Sequence, residues 1–476
     1  MREEGTPRRD WPRLRRIVRP RPAADLAVFR VLVVIAWLSM VRPGLAAHFA
    51  MYPRELCFPP FAWQKVIDSI HVSAIQVWIA YAIFVLGAIG TLIGWRTRLS
   101  LIVMTLAGGL VLSIPQFFGK VNHDNDLIWF ALLLIASPCG DALSMDAKRR
   151  GVVREASVAY ALPLVFAIVL LGIAYLFPGI AKARATGAAW GLDGHLRSIL
   201  HTKWIEFGGW TPWPRIDRWP AACAALSMGT LVFELGFLPL SMFRRTRPAL
   251  LLLGLGFHLG TMHFMRIPLW HMAMGYVLLA PDGWLGPARR WAAREPLNSA
   301  MSDAVSGEVF GADDPAKRSR GVMATLVVGG ALVAGNIYDG VRVRDDWPLG
   351  AYPTFAWRAG DRQPTLRMHA TMADGSERIV SETFLAGFST PERARALAIV
   401  IRSNDPRREA RLLAYWNVLT RFDPALAGAR SVAFNTAIVS TDPEEHGRVL
   451  EARTIFRHEF ASIGTDADGT QGHGHE

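Results

Sequence analysis

Charge is scarce in this chain of 476 residues: Asp, Glu, Lys and Arg make up 19% of it, against 51% hydrophobic residues. A soluble domain carries about 25% charged residues. The deficit excludes intrinsic disorder and argues against a soluble enzyme of two or three domains. Cysteine is equally sparse. Cys57, Cys139 and Cys223 form no CxxC pair and no zinc spacing, which leaves buried free thiols or a Cys57–Cys223 disulfide at an outer face. No Gly-rich phosphate loop sits between a strand and a helix, and there is no nucleophile elbow, so nucleotide hydrolysis and serine hydrolase chemistry are not expected. A cleavable signal peptide is not expected either. Eight Arg fall in the first 22 residues, but the apolar run after them is too long for an h-region and lacks a small-residue cleavage site.

What the chain does have is long apolar runs. Mean hydropathy is +0.22, and the apolar residues are bunched at approximately 25–47, 72–94, 99–118, 126–141, 156–178, 219–242, 248–265, 267–282 and 321–338. Bunching on this scale is what a bilayer demands, since a spanning helix needs about 20 apolar residues. The fourth and eighth runs are short and need shelter from neighbouring helices. The expected fold is therefore mainly α, a polytopic transmembrane helical bundle of eight or nine spans. Residues 1–24 form a basic cytoplasmic N-terminus, 25–282 the membrane domain, 283–320 a polar cytoplasmic linker and 321–338 the last span.

The net charge of +12 follows the membrane rather than a nucleic acid. Threaded from a cytoplasmic N-terminus, the chain places 23 Lys and Arg in inside segments and ten in outside loops, the asymmetry expected of an inner-membrane protein. In the long outside connection 179–218, Leu192, Leu196, Ile199 and Leu200 recur at helical spacing and predict a helix along the outer interface. Trp210, Trp213 and Trp219 fit an aromatic belt there.

Residues 339–476 change character and predict a small α+β domain on the outer side. Thr365–Thr371 and Arg378–Phe384 flank a hairpin turn at Met372-Ala-Asp-Gly-Ser. Thr390-Pro-Glu-Arg starts one helix, and 406–421 forms another. Ser431–Ser440 and Arg448–Phe460 read as two further strands. The two histidines near the chain's end read as a solvated tail, and no metal or nucleotide is expected.

An ionisable residue inside a span costs roughly 2.5–3.5 kcal/mol on insertion scales, so such residues take the place of motifs. Arg30 lies in the first span. Asn122-His123-Asp124-Asn125-Asp126 stands at the outer end of the fourth, either as helix caps or as a donor–acceptor cluster facing a cavity. Lys182 follows Phe177-Pro-Gly-Ile-Ala at the outer end of the fifth span. It either snorkels to the headgroups or points into an apolar cavity, where a neutral amine can serve as a base. Glu234 and His258 fall at similar depth on adjacent antiparallel spans. They are read as a hydrogen-bonded pair, structural or part of a proton path.

At these residues the chain resembles the vitamin K-dependent gamma-carboxylases and their bacterial relatives, which share the HTTM (horizontally transferred transmembrane) domain. Asp25-Leu-Ala-Val-Phe-Arg30-Val-Leu resembles that domain's opening helix. Asn122-His123, a hydrophobic span and Gly140-Asp-Ala-Leu-Ser-Met-Asp146 are similar to its Asn-His segment ending in Ser-x-Asp. Gly179-Ile-Ala-Lys182 with Trp190 downstream resembles its Gly-Val-Lys-Lys segment, with Ala181 in place of the first lysine. Phe257-His258 resembles a later Phe-His. The resemblance spans about residues 23–285. It implies a catalytic set of Lys182, His123, Asn122 and His258, with Lys182 deprotonating a reduced naphthoquinone of vitamin K or menaquinone type. Reaction with dioxygen then yields a strong base, which removes a glutamyl γ-proton so that the carbanion captures carbon dioxide. The implied partners are the bilayer, a quinone and a secreted protein or peptide substrate. The alternative is a non-enzymatic bundle that binds or moves a lipid or other apolar ligand.

Overall fold

The computed structural model describes residues 18–60, 63, 72–118, 124–151, 155–192, 195–280, 285–294, 315–344, 346–350, 355–356, 360–381 and 406–460. Asn122, His123, the helix expected at Thr390, most of the linker and the terminal histidines lie outside the described residues. By contacts the chain divides into two compact units. The first comprises Met1–Met51, Phe58–Trp204 and Trp210–Ala359, and the second Tyr52–Cys57, Ile205–Gly209 and Gly360–Glu476.

The first unit is helical. In order it contains α1 (Ala23–Met40), α2 (Pro43–Ala50), α3 (Ala74–Ile93), α4 (Thr97–Ser113), α5 (Asn125–Ala136), α6 (Met145–Arg150) and α7 (Val158–Thr186). These are followed by α8 (Ala189–Leu192), α9 (His195–Glu206, its last two residues counted with the second unit), α10 (Pro220–Ser241), α11 (Arg247–Met265), α12 (Trp270–Met274), α13 (Gly286–Arg294) and α14 (Pro315–Arg342). Among the described residues, seven helices are long and apolar enough to cross a membrane: α1, α3, α4 with its 3₁₀ extension to Phe117, α7, α10, α11 and α14 from Ser319. The fourth and eighth expected spans are shorter. The fourth is the 12-residue α5, and the eighth is α12 running into a 3₁₀ turn at Gly275–Leu279.

Two boundaries differ from the sequence expectation. The first span was expected to reach residue 47, but α1 stops at Met40 and Pro43 opens a separate helix after extended Val41 and Arg42. A proline lacks the donor and the room to continue a helix. The fifth was expected to end at Pro178, yet α7 runs through Pro163 and Pro178 to Thr186. Surrounding helices can tolerate a missing backbone bond in a membrane segment.

Small residues let α7 and α10 approach closely. A Cβ on Gly172 would meet Leu238 at 2.7 Å, and one on Gly179 would meet the Glu234 Cβ at 3.0 Å. The Ser-x-Asp segment proves to be a device for capping the starts of helices. Ser144 caps α6 by accepting from the Ala147 N–H at 2.9 Å. Asp146 accepts from the N–H groups of Arg96 and Thr97 at 3.0 and 2.7 Å, and from the Thr97 hydroxyl at 2.7 Å. Burial alone would raise the Asp146 carboxyl, but these donors and the nearby Arg150 hold it below the usual carboxylate range.

The second unit matches its sequence pattern closely. It holds β1 (Arg362–Met372), β2 (Glu377–Ser381), α15 (Arg408–Phe422), β3 (Ala429–Ser440) and β4 (Val449–Glu459). The strands form one antiparallel sheet in the order β2-β1-β3-β4. All three cysteines are free, Cys139 and Cys223 buried and Cys57 half-buried.

Candidate functional site

Because α7 does not end at Pro178, Lys182 lies within the helix instead of in a loop beyond it. Its side chain is buried and its ammonium donates to Glu234 Oε1 of α10. The close approach at Gly179 accounts for the meeting, since it brings α7 onto the turn of α10 that carries Glu234. The Lys182 ammonium also stands 5.1 Å from the ring centre of Trp190, within cation–π range. Glu234 Oε2 is buried and has no hydrogen-bond partner among the described residues. Snorkelling to the headgroups is therefore not what Lys182 does here.

The Glu234–His258 pair expected from equal depth does not form. Glu234 is engaged by Lys182, and His258 of α11 turns to two phenols. Its Nε2 is 2.8 Å from the Tyr175 hydroxyl and 3.0 Å from that of Tyr276, and the two hydroxyls are 2.8 Å apart. Similar depth on adjacent helices does not by itself decide which neighbour a side chain meets; rotation about the helix axis does too. Tyr175 and Lys182 are seven residues apart on α7, two turns on one face, so both polar groups border the same space.

That space is a cavity of about 420 Å³. Lys182, Glu234, Tyr175, Thr230 and Thr261 are among its polar lining residues, and Trp190, Phe233, Phe257 and Phe264 among its apolar ones. Phe233 and Phe257 stack with ring centres 5.3 Å apart. Leu226 and Gly229 of α10 and Leu252 and Gly256 of α11 line the cavity while remaining exposed. The cavity therefore opens sideways, between these two apolar helices.

Its far wall is α9, with the segment after it. Helix is present where it was expected, in α8 and α9, but Ile199, Leu200 and Trp204 are buried against Trp190, Ile216 and Leu231, while Leu192 is exposed. Polar contacts fix this wall. Arg215 donates to both oxygens of Asp217 at 2.8 Å, and His201 Nε2 is 3.1 Å from Asp217 Oδ2. Burial would raise the Asp217 carboxyl, but the bonds and charges of Arg215 and His201 hold it below the usual range. The Trp204 and Trp190 indoles donate to the carbonyls of Phe264 and Phe355 at 2.8 and 3.1 Å. Trp213 and Trp219 are exposed, as a belt residue would be, whereas Trp210 is covered by the Arg266 guanidinium at 3.9 Å.

The remaining candidates separate from this centre. Arg30 is fully buried and donates to the carbonyls of Cys139 at 2.7 Å and Leu143 at 2.5 Å. It ties α1 to the turn after α5 and has no place at the cavity. Of the 122–126 cluster, Asp124 accepts from Gln116 at 3.0 and 3.2 Å and does not cap α5 through its side chain. Asp126 is buried with an oxygen 3.4 Å from His271 Nε2. Sequence reasoning passed over Tyr175, Tyr276 and His271. The seven-residue interval from Tyr175 to Lys182 was the available signal; the contribution of Tyr276 depends on a 3₁₀ turn that no pattern announced.

The family model for the HTTM domain matches residues 18–284, more than half of the chain. This protein belongs to the HTTM-domain family. Every residue of the Lys182–Glu234 and His258–Tyr175–Tyr276 groups lies inside that match. Comparison with curated proteins and with solved structures gives no match.

Proposed function

We propose that this HTTM-domain protein is an integral-membrane enzyme of the carboxylase type, with Lys182 as its base toward a lipid-soluble reduced naphthoquinone. The observation that supports this reading is the Lys182–Glu234 pair, buried in the wall of an apolar cavity that opens between α10 and α11. The lining fits such a group. Phe233, Phe257 and Trp190 offer flat apolar faces, and the unpartnered Glu234 Oε2 calls for a donor such as a ring hydroxyl. When bound, the quinol would supply acidic hydroxyls and the electrons for dioxygen.

The chain's own part is to hold and move protons. In water the charged form of a Lys–Glu pair is strongly favoured. In an apolar wall the penalty for burying two charges brings the neutral amine–acid form nearer in energy. In this reading Lys182 Nζ would take a proton from a quinol hydroxyl in the cavity, and Glu234 Oε1, bonded to it, would relay that proton. Trp190 and α9 screen the amine from water, which would otherwise quench a strongly basic species. The orientation implied by the loop charges completes the reading: N-terminus cytoplasmic, the nine apolar segments crossing the inner membrane, and residues 339–476 outside, where a secreted peptide substrate and carbon dioxide are available.

Two measurements test this reading. Purified protein given a reduced menaquinone or vitamin K should consume oxygen, and Lys182→Met should abolish the consumption; an unchanged rate refutes the base. Labelled bicarbonate should enter a Glu-containing peptide. Background counts from the wild type, where a control carboxylase succeeds, would remove carboxylation. Quinol binding without turnover would instead favour the ligand-binding alternative, which the lateral opening also accommodates.

A further inference from the structure

The Tyr175 hydroxyl, His258 Nε2 and the Tyr276 hydroxyl form a closed triangle, with sides of 2.8, 3.0 and 2.8 Å. Their protons cannot be shared out evenly. Nε2 of a neutral imidazole either offers one lone pair or carries the ring proton. If it offers the lone pair, the proton stands on Nδ1, which is buried with no hydrogen-bond partner among the described residues. Among buried orphans an unpaired N–H is rarer than an under-satisfied acceptor, so the bonding assigns the proton to Nε2. Nε2 then donates to one phenol and that phenol donates to the other. The last hydroxyl proton has no acceptor left in the triangle. The surroundings decide which phenol holds it. Tyr276 is packed against Gly254, where an added Cβ would meet its hydroxyl at 2.7 Å. Tyr175 alone of the three is among the described residues that line the cavity of about 420 Å³.

We propose, on the quinol reading of that cavity, that the Tyr175 hydroxyl donates its spare proton in a hydrogen bond to an oxygen of the bound ring, at the end away from Lys182. Tyr175 and Lys182 stand two turns apart on one face of α7, about 10.5 Å at a rise of about 1.5 Å per residue. A six-membered ring with a hydrogen bond of about 2.8 Å at each end fits that interval. The two ends differ in kind. At one, Glu234 Oε2 has no donor among the described residues, and the Lys182 ammonium keeps protons beyond the one it gives Oε1. At the other, Tyr175 has a proton to give. The cavity therefore selects a flat ring with oxygens at opposite positions over a ring oxygenated at one end only.

The test uses the full-length chain in detergent and oxidised menaquinone carrying a carbon-13 label at one carbonyl or the other. Binding is titrated, and the carbonyl bands are read by infrared difference spectroscopy. In the wild type both bands should lie below their positions in detergent alone, one lowered by the Lys182 ammonium and the other by Tyr175. Tyr175→Phe should return one band to its free position and weaken binding about five-fold, as expected for one hydrogen bond. Tyr276→Phe removes a hydroxyl from the same triangle but leaves Nε2 within 2.8 Å of the Tyr175 oxygen, so the outward donor survives and both bands should stay low. A disturbance of packing alone would strike the two variants alike. Only one lowered band in the wild type, which needs no variant to fold, would overturn the donor and leave the quinol reading standing. Equal changes in the two variants, or both bands low in Tyr175→Phe, would do the same. No binding of the quinone by the wild type would remove that reading and the donor with it.

Discussion

Separate replacement of Lys182 and Glu234 should be far more damaging than their joint replacement. Both side chains are about 95% buried, with exposures of 4% and 5%. Removing one partner leaves the other's charge in an apolar wall, a loss of about 3–5 kcal/mol for a buried pair. Lys182→Met also forfeits the contact over Trp190, 5.1 Å from the ring centre, worth about 0.5–2 kcal/mol. The double variant Lys182→Met with Glu234→Leu removes both desolvation penalties and keeps most of the volume, so its stability should return to about that of the wild type or exceed it by about 1–4 kcal/mol. Independent sites add to within about 0.3–0.5 kcal/mol, so the expected departure from additivity is many times that margin. The assay is thermal unfolding of the detergent-solubilised full-length chain, where each single variant should fall by on the order of 10 °C. A single Lys182→Met that melts with the wild type would show the ammonium in the headgroups. Two singles that simply sum in the double would show that they do not touch. The same double variant, folded but unable to oxidise quinol, would separate the pair's structural role from its chemical one.

Other outcomes follow from the same contacts. Gly179→Leu places side-chain atoms where a Cβ alone meets Glu234 and Leu235 at 3.0–3.1 Å; it should destabilise the melt by about 1–3 kcal/mol, with Gly179→Ala milder, and equal melts would refute the close approach. Tyr175→Phe keeps the ring but removes the hydroxyl shared by His258 and Tyr276, a loss of about 1 kcal/mol that denaturation should detect. Gly256 has nothing within 4 Å of an added Cβ, so Gly256→Trp should fold normally yet weaken binding of a quinol analogue; undiminished binding would place the entrance elsewhere. Asp146 and Asp217 are both held below the ordinary carboxylate range. Their contribution should be complete above the unfolded value of about 3.9 and vanish as pH falls through the lower folded values, so acid melts of Asp146→Asn and Asp217→Asn should lose part of the wild type's slope below about pH 4.

The apolar runs were legible because a bilayer imposes one strong rule, and the strands of the second unit because alternation and turn residues agree. β1, β3 and β4 begin and end within a few residues of their sequence limits, and β2 begins within one; the expected end of β2 lies outside the described residues. Helix ends at prolines were less legible, since Pro43 breaks a helix and Pro178 does not. The difference lies in the neighbours, as Pro178 is flanked by the tight α7–α10 contact at Gly172 and Gly179. The polar residues were visible as anomalies, but their partners were not. Equal depth suggested Glu234 with His258, and only the helix rotations reveal Lys182 with Glu234.

Cost of burial alone does not separate the functional from the structural among these anomalies. Arg30 is buried more completely than Lys182 and lies nearer the middle of its helix. What differs is the partner. Arg30 spends its two terminal nitrogens on backbone carbonyls left open after α5, an arrangement in which no proton can be exchanged. Lys182 bonds instead to another ionisable side chain, whose second oxygen is unpartnered and borders an apolar cavity. A buried ion meeting carbonyls is held in one protonation state. A buried ion meeting a carboxylate beside an open space has an ionisable partner with which to exchange a proton, and the described side chains offer that combination where α7 and α10 close on Gly179.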